Sequence, residues 1–298
     1  MTRHLLDITD LSADELRVVL ELAQRKDLPR VLEGEGVALI FEKPSNRTRQ
    51  STEMAVFKLG GHPVYTRREE VEFDVRESVE DVTRVLAGYH GVLAARTFLH
   101  STVQRMAAVS TVPVVNLLSD VSHPLQAVAD VLTMQQVHGS LEGHTVAFVG
   151  DYNNVSRSLA EACVLIGANV ALGCPAGFDA TAEELARLNA LGGGAVTQVH
   201  DASTAVAGAI AVHTDSWVAM GQEAERDARV PAFKGFTVDA AMMATAAPGG
   251  GFYHCLPAHR GEEVTAEVID GPNSHVFAQA HNRLNAACGA LAFLKGVR

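Results

Sequence analysis

The chain contains no CxxC pair: its four cysteines, Cys163, Cys174, Cys255 and Cys288, are widely spaced. That removes the spacing from which zinc cages and disulfide frameworks are built, and reduced thiols in a cytosolic protein are expected. No run of about 18 apolar residues occurs, so no membrane span is expected. The opening stretch MTRHLLDITDLSADEL lacks the apolar core of a secretory signal, which again points to a cytoplasmic location. Positive charge is also scarce, since 24 Lys and Arg face 35 Asp and Glu for a formal net charge of −11. Non-specific nucleic-acid and anionic-membrane binding both want a basic face, so neither partner is expected. A small anion needs only a few local cations and is not excluded. No repeat, low-complexity tract or block of like charge interrupts the chain.

What is present suits a buried core. Apolar residues make up 47% and charged residues 20%, near the globular average. At 298 residues the chain allows one large domain or two ordinary ones. Short apolar, β-branched runs read as buried strands: VALIF (37–41), HPVYT (62–66), GVLAAR (91–96) and VPVVNLL (112–118). Amphipathic helical patterns lie between them. A second series follows: TVAFVGD (145–151), NVALGCP (169–175), AVTQVHD (195–201), AIAVHTDSW (209–217), FYHCLP (252–257) and HVFAQA (275–280). Such alternation predicts an α/β fold of parallel sheets flanked by helices. The long helical stretch 123–139 separates the two series and puts a domain boundary near residue 135. The last stretch, NRLNAACGALAFLKGV, reads as a helix.

Ligands in open α/β sheets bind beyond the carboxyl ends of strands, and the unusual residues stand there. SNRTR (45–49) follows a strand and opens a helix. Arg47 supplies a planar fork, Ser45 and Thr48 supply hydroxyls, and helix-start amides can face an anion. The pattern is a phosphate cradle without the GxxxxGK[ST] of a nucleotide loop; a solvated basic turn is the alternative. HPLQ (123–126) sets His123 and Gln126 at a helix start, suited to a carbonyl or amide, although Pro at the first helical position is common in any protein. Arg96 ends an apolar strand, either facing a ligand or solvated. FVGDYNNV holds only Gly150 where a dinucleotide fingerprint needs three glycines. Asn153 and Asn154 offer amides there for a carboxylate or for capping. Asp215, after another strand, fits an ammonium group or a cap. HCLPAHRGEEVT (254–265) is the densest stretch, with a thiol, imidazoles, an arginine and two carboxylates around a proline turn. Cys255 stands where the strand gives way to that turn.

Taken in order, SxRTR, HPxQ, D-x-W-x-x-M-G (Asp215 to Gly221) and HCLPAxRGEEVT make the sequence resemble the aspartate/ornithine carbamoyltransferase family over nearly its whole length. The last two motifs favour the ornithine branch. The resemblance implies two domains with the active site in the cleft between them. Residues 1–135 would bind carbamoyl phosphate, with a C-terminal helix, about 281–298, packing back on them; 136–280 would bind the amino acid. It further implies that Ser45, Asn46, Arg47 and Thr48 bind phosphate. Arg96, His123, Gln126 and Arg283 would grip the carbamoyl end, and Cys255 and Leu256 would flank the attacking amine. Asn154, Asp215, Ala219 and Met220 match the positions that hold ornithine. Arg96, His123, Cys255 and Thr48 are the expected catalytic groups. No metal or organic cofactor is implied, and the assembly implied is a homotrimer.

Three positions depart from the family pattern. Ala219 stands for the serine of S-M-G, and losing one hydrogen bond to a charged group costs about 1.5–3 kcal/mol. Asn46 replaces a threonine. Glu72 falls where a glutamine is often lent by a neighbouring subunit, and a carboxylate there would repel phosphate. These departures motivate two alternatives: a carbamoyltransferase for another amine, such as putrescine or an N-acylated ornithine, and a carbamoyl phosphate-binding protein without turnover.

Overall fold

The computed structural model describes residues 2–218 and 223–298. Ala219, Met220 and Gly221 lie outside the described residues. The chain divides into two compact units, Met1–Ala129 with His281–Arg298, and Asp130–Ala280. The division falls within the helix Pro124–His138, whereas the sequence put the boundary near residue 135.

The first unit holds β1 (Gly36–Phe41), β2 (His62–Arg67), β3 (Val92–Arg96) and β4 (Val114–Leu118) in the order β2-β1-β3-β4, all parallel. β3 is buried at every position and β1 at all but its first. Continuous burial is what covering both faces of a parallel sheet requires, and it explains the unbroken apolar runs. β2 lies at an edge and is correspondingly half exposed. Ile40, Leu93 and Ala95 pack with Val82, Val103 and Met106 from helices Val79–Ala87 and His100–Val109. Each of these side chains larger than alanine contributes roughly 1.5–3 kcal/mol when removed from water.

The second unit holds β5 (Thr145–Val149), β6 (Asn169–Gly173), β7 (Val196–Val199), β8 (Ala211–Thr214) and β9 (Gly251–His254). They form a parallel sheet in the order β7-β6-β5-β8-β9. Its core gathers Val149, Val212 and Phe252 with Trp217, Phe233 and Ile269.

One expected strand is not a strand. HVFAQA (275–280) forms the start of the helix Val276–Leu294, which continues into the first unit from His281. Gly289 lets this helix press on the helix Ala13–Gln24, since a Cβ there would lie 2.6 Å from the Val19 carbonyl oxygen. Among the described residues no helix is long and apolar enough to cross a membrane.

Both sheets reverse their strand order once. In the first, the chain moves from β1 outward to β2 and returns to β3 on the other side. In the second, it runs from β5 through β6 to β7 and returns to β8. The carboxyl ends of β1 and β3, and of β5 and β8, are therefore the switch points where crevices open.

Candidate active site

At the first switch point, β1 ends in Phe41 and the chain turns through Ser45 into the 13-residue helix Asn46–Lys58. Ser45 is the N-cap residue, but its side chain makes no capping bond. The first-turn amides, which have no partner within a helix, are thus left uncapped by it and suit an anion. Arg47 is half-buried in that turn and Thr48 is buried. Of the other cations, Arg49 turns away, stacking on Tyr65 at 3.7 Å and pairing with Glu53 at 2.8 Å. Lys43 stacks on Phe98 at 4.6 Å.

The partner strand β3 ends in Arg96, where its register with β4 shifts between Ala95 and Arg96. The extra residue, Leu117, belongs to β4, so the irregularity lies in the neighbouring strand and sets Arg96 opposite Leu118. His123 and Gln126 open the helix after β4, and Arg283 arrives from the C-terminal helix. Arg283 donates to Gln126 Oε1 at 2.5 Å and to Thr48 Oγ1 at 2.9 Å. Thr48, Arg96, His123, Gln126 and Arg283 are all buried, none more than 8% exposed. Burial holds His123 well below the usual imidazole range, with the Arg283 and Arg96 charges adding to it. The imidazole is therefore neutral at pH 7, and a buried pair of guanidiniums stands beside a neutral ring. That arrangement favours a ligand carrying negative charge next to a carbonyl.

At the second switch point, Gly150 takes φ 140° and carries the chain out of β5 into Asp151. Asn153 caps the helix Asn154–Leu165, its side chain accepting from the amides of Val155 and Ser156. The same side chain donates to Asp215 Oδ2 at 3.1 Å and to Asp151 Oδ1 at 3.3 Å. Asn154 is the first helical residue, half-buried. Asp215 Oδ1 accepts from the Ser216 amide at 2.8 Å and from the Cys255 thiol at 3.2 Å. Arg229, buried between Phe178 and Phe233, pairs with Asp151 and donates to the Trp217 carbonyl at 2.5 Å. Burial pushes the Asp151 carboxyl up to about 6; Arg229 pulls it down and Asp215 pushes it up.

β9 leads into Cys255 and Leu256. The Leu256 amide donates to His254 Nδ1 at 2.8 Å, so the ring proton belongs on Nε2, which faces Glu263 Oε1 at 3.2 Å. Glu263 Oε1 also accepts from the His259 amide at 2.5 Å. The His254 amide donates to Gln279, which donates to Asp130 at 2.6 Å. This buried network holds Leu256 at φ 60°, a left-handed conformation that costs a non-glycine residue about 1–3 kcal/mol.

Two family models divide the chain. The carbamoyl-P binding domain of aspartate/ornithine carbamoyltransferase matches residues 3–136, and the Asp/Orn binding domain matches residues 142–294. The chain belongs to the aspartate/ornithine carbamoyltransferase family. The ornithine carbamoyltransferase of Thermus thermophilus is 45% identical, over 99% of this chain and 97% of its own length. The solved ornithine carbamoyltransferase from Pyrococcus furiosus superposes with a TM-score of 0.94 at 41% identity, covering 99% and 98% of the two chains. A solved N-acetyl-L-ornithine transcarbamylase gives 0.87 at 30% identity, covering 98% and 99%.

In this carbamoyltransferase, the expected donor-side residues Thr48, Arg96, His123, Gln126 and Arg283 come together within the first unit. Ser45, Asn46 and Arg47 sit in the turn that leads to Thr48. Asp215 and Cys255 meet within the second unit. Glu72 is exposed in a left-handed conformation after the short helix Arg68–Val71. Sequence reasoning missed Asp151 and Arg229. Asp151 stands directly beyond β5, so the strand-end rule that selected Arg96 could have found it. Arg229 carried no such signal, lying in a charged helix eight residues past the D-x-W-x-x-M-G motif. Among the described residues, Asp215, His254 and Cys255 place ligand-type atoms within 4.8 Å of one another, as do His259, Glu262 and Glu263. Both ring nitrogens of His254 are already engaged, so a cation held by the first group would have to displace one of those contacts.

Proposed function

We propose that the chain is an ornithine carbamoyltransferase, passing the carbamoyl group of carbamoyl phosphate to the δ-amine of L-ornithine to give citrulline and phosphate. The observation that carries the reading is the buried cluster in which Arg283 joins Thr48 and Gln126 beside Arg96 and a neutral His123. A compact anion bearing a carbonyl fits that set of donors. The phosphate is taken by Ser45, Asn46, Arg47 and Thr48 at the helix start. The carbamoyl oxygen and amide are taken by Arg96, His123, Gln126 and Arg283.

The acceptor enters through the second unit. Asp215 holds the α-ammonium group, with Asn154 and the segment of Ala219 and Met220 as further contacts to the amino acid. Cys255 and Leu256 flank the δ-amine. The neutral amine attacks the carbamoyl carbon; the C–N bond forms, the carbon–oxygen bond to phosphate breaks, and the departing phosphate takes the amine proton. Charge on the carbamoyl oxygen is met by Arg96, Thr48 and His123 as preorganised donors, and placement of two substrates supplies much of the remaining barrier reduction. The δ-ammonium must lose its proton first, which a poorly solvated site and the nearby Cys255 favour. The enzyme serves arginine and citrulline metabolism in the cytoplasm and works as a homotrimer.

The ornithine carbamoyltransferases of Thermus thermophilus and Pyrococcus furiosus, 45% and 41% identical to the chain, support the free amino acid as acceptor. Asp215 supports it too, because putrescine and N-acylated ornithines offer no α-ammonium. Initial rates with ornithine, putrescine and N-acetylornithine test the assignment: ornithine is expected to give the highest kcat/KM, and a preference for either other amine contradicts it.

A further inference from the structure

We propose that Tyr152 and Glu184 form a positioning pair for the acceptor half of the site, setting the loop that carries Asp151, Asn153 and Asn154. The inference rests on the reading above and goes beyond it, because Tyr152 belongs to none of the motifs SxRTR, HPxQ, D-x-W-x-x-M-G or HCLPAxRGEEVT.

Tyr152 stands between Asp151 and Asn153, and Asn153 is the side chain that touches both Asp151 and Asp215. Its backbone amide donates to the Phe178 carbonyl at 2.7 Å. Its hydroxyl donates to Glu184 Oε1 at 2.6 Å. Burial and then the neighbouring Glu184 push the phenol up, so the hydroxyl keeps its proton at neutral pH. Glu184 is pulled down to about 2, first by Arg187, so at neutral pH it is a carboxylate.

Glu184 is itself fixed. Arg187 Nε lies 2.7 Å from its Oε2 and Arg157 Nε 3.2 Å from its Oε1. Both guanidiniums also reach the fully buried Glu161, at 2.9 Å from Arg157 and 2.7 Å from Arg187. Arg157 and Glu161 belong to the helix Asn154–Leu165, and Glu184 and Arg187 to the helix Ala182–Asn189. Two carboxylates and two guanidiniums thus balance and lock the helices without any tyrosine. What the hydroxyl adds is a link from that lock to the acceptor loop.

The test uses Tyr152→Phe, Glu184→Ala, Glu184→Gln and the double variant Tyr152→Phe/Glu184→Ala in the full chain. Tyr152→Phe and Glu184→Ala should each raise the KM for ornithine roughly three- to tenfold. The KM for carbamoyl phosphate and kcat should stay within about twofold. Glu184→Gln, which keeps an oxygen to accept from the tyrosine, should restore the KM for ornithine. The double variant should be no worse than the single ones. An unchanged KM for ornithine in Tyr152→Phe overturns the pairing. So do additive effects in the double variant, or a parallel rise of both KM values with a fall in Tm. Amide hydrogen exchange across residues 151–156 reads the same link without turnover: it should quicken in Tyr152→Phe and Glu184→Ala and not in Glu184→Gln. Exchange unchanged in Tyr152→Phe overturns the pairing as well. A wild-type chain that forms no citrulline would sink the functional reading alone, and the exchange data would still decide the pair.

Discussion

Arg283 Nη2 lies 2.9 Å from Thr48 Oγ1, joining residues 235 positions apart in one buried contact. Its other terminal nitrogen meets Gln126 Oε1 at 2.5 Å. The C-terminal helix therefore brings one guanidinium to two elements of the first unit, at the proposed donor site. Arg283→Met keeps the aliphatic stem and removes both bonds. Charge-assisted hydrogen bonds are worth about 1.5–3 kcal/mol, so the affinity for carbamoyl phosphate should fall at least about tenfold. Titration calorimetry reads this directly, and unchanged affinity would remove Arg283 from the site.

Arg47 makes a sharper case, because it is half-buried at a helix start and contributes little to the core. Arg47→Ala should abolish measurable carbamoyl phosphate binding while circular dichroism and the melting temperature stay near those of the wild type. Unchanged affinity by calorimetry would show that the cradle lies elsewhere.

The acceptor side carries a titration of its own. Burial raises the Asp151 carboxyl to about 6, above its unfolded value of roughly 3.9. Between those values the folded chain binds more protons than the unfolded one, so this group favours folding at low pH and loses that contribution as pH rises through 6. Function runs the other way: below pH 6 the neutral carboxyl no longer balances Arg229, which also grips the Trp217 carbonyl. The kcat/KM for ornithine should therefore drop as pH falls through about 6. Asp151→Asn should lack that inflection, and a profile with the same inflection in the variant would assign it to another group.

Stability in acid should depend on His213. The ring is buried, stacked on Tyr253 with centroids 4.8 Å apart, and burial lowers it to about 3. The unfolded chain takes up a proton near pH 6.5 that the folded chain refuses, so stability is full above that value and is lost as pH falls toward 3. Each such proton contributes a slope of about 1.4 kcal/mol per pH unit. His213→Phe preserves the stack and cannot titrate, so urea unfolding between pH 4 and 6 should show a shallower slope by up to one proton. An identical slope in both proteins would place the uptake elsewhere.

Much of this architecture is legible in the primary structure because parallel strands buried on both faces must be written as unbroken apolar runs. VALIF and GVLAAR are such runs, and they lead directly to Ser45 and Arg96. HVFAQA misleads because six residues are too few for periodicity to separate strand from helix. Followed further, Val276, Gln279, Arg283, Ala286 and Ala287 are buried at helical spacing. The Asp151–Arg229 pair is harder to read: the two residues are 78 positions apart and neither repeats a pattern. Only folding brings a strand-end carboxylate to an arginine in a helix that reads as a solvated, charged face.

The most direct test of the account is simultaneous measurement of citrulline and phosphate from purified protein given carbamoyl phosphate and L-ornithine. Equal amounts of both products, formed at a rate proportional to enzyme and lost in Arg96→Ala, are predicted. Phosphate without citrulline, or neither product, would contradict it.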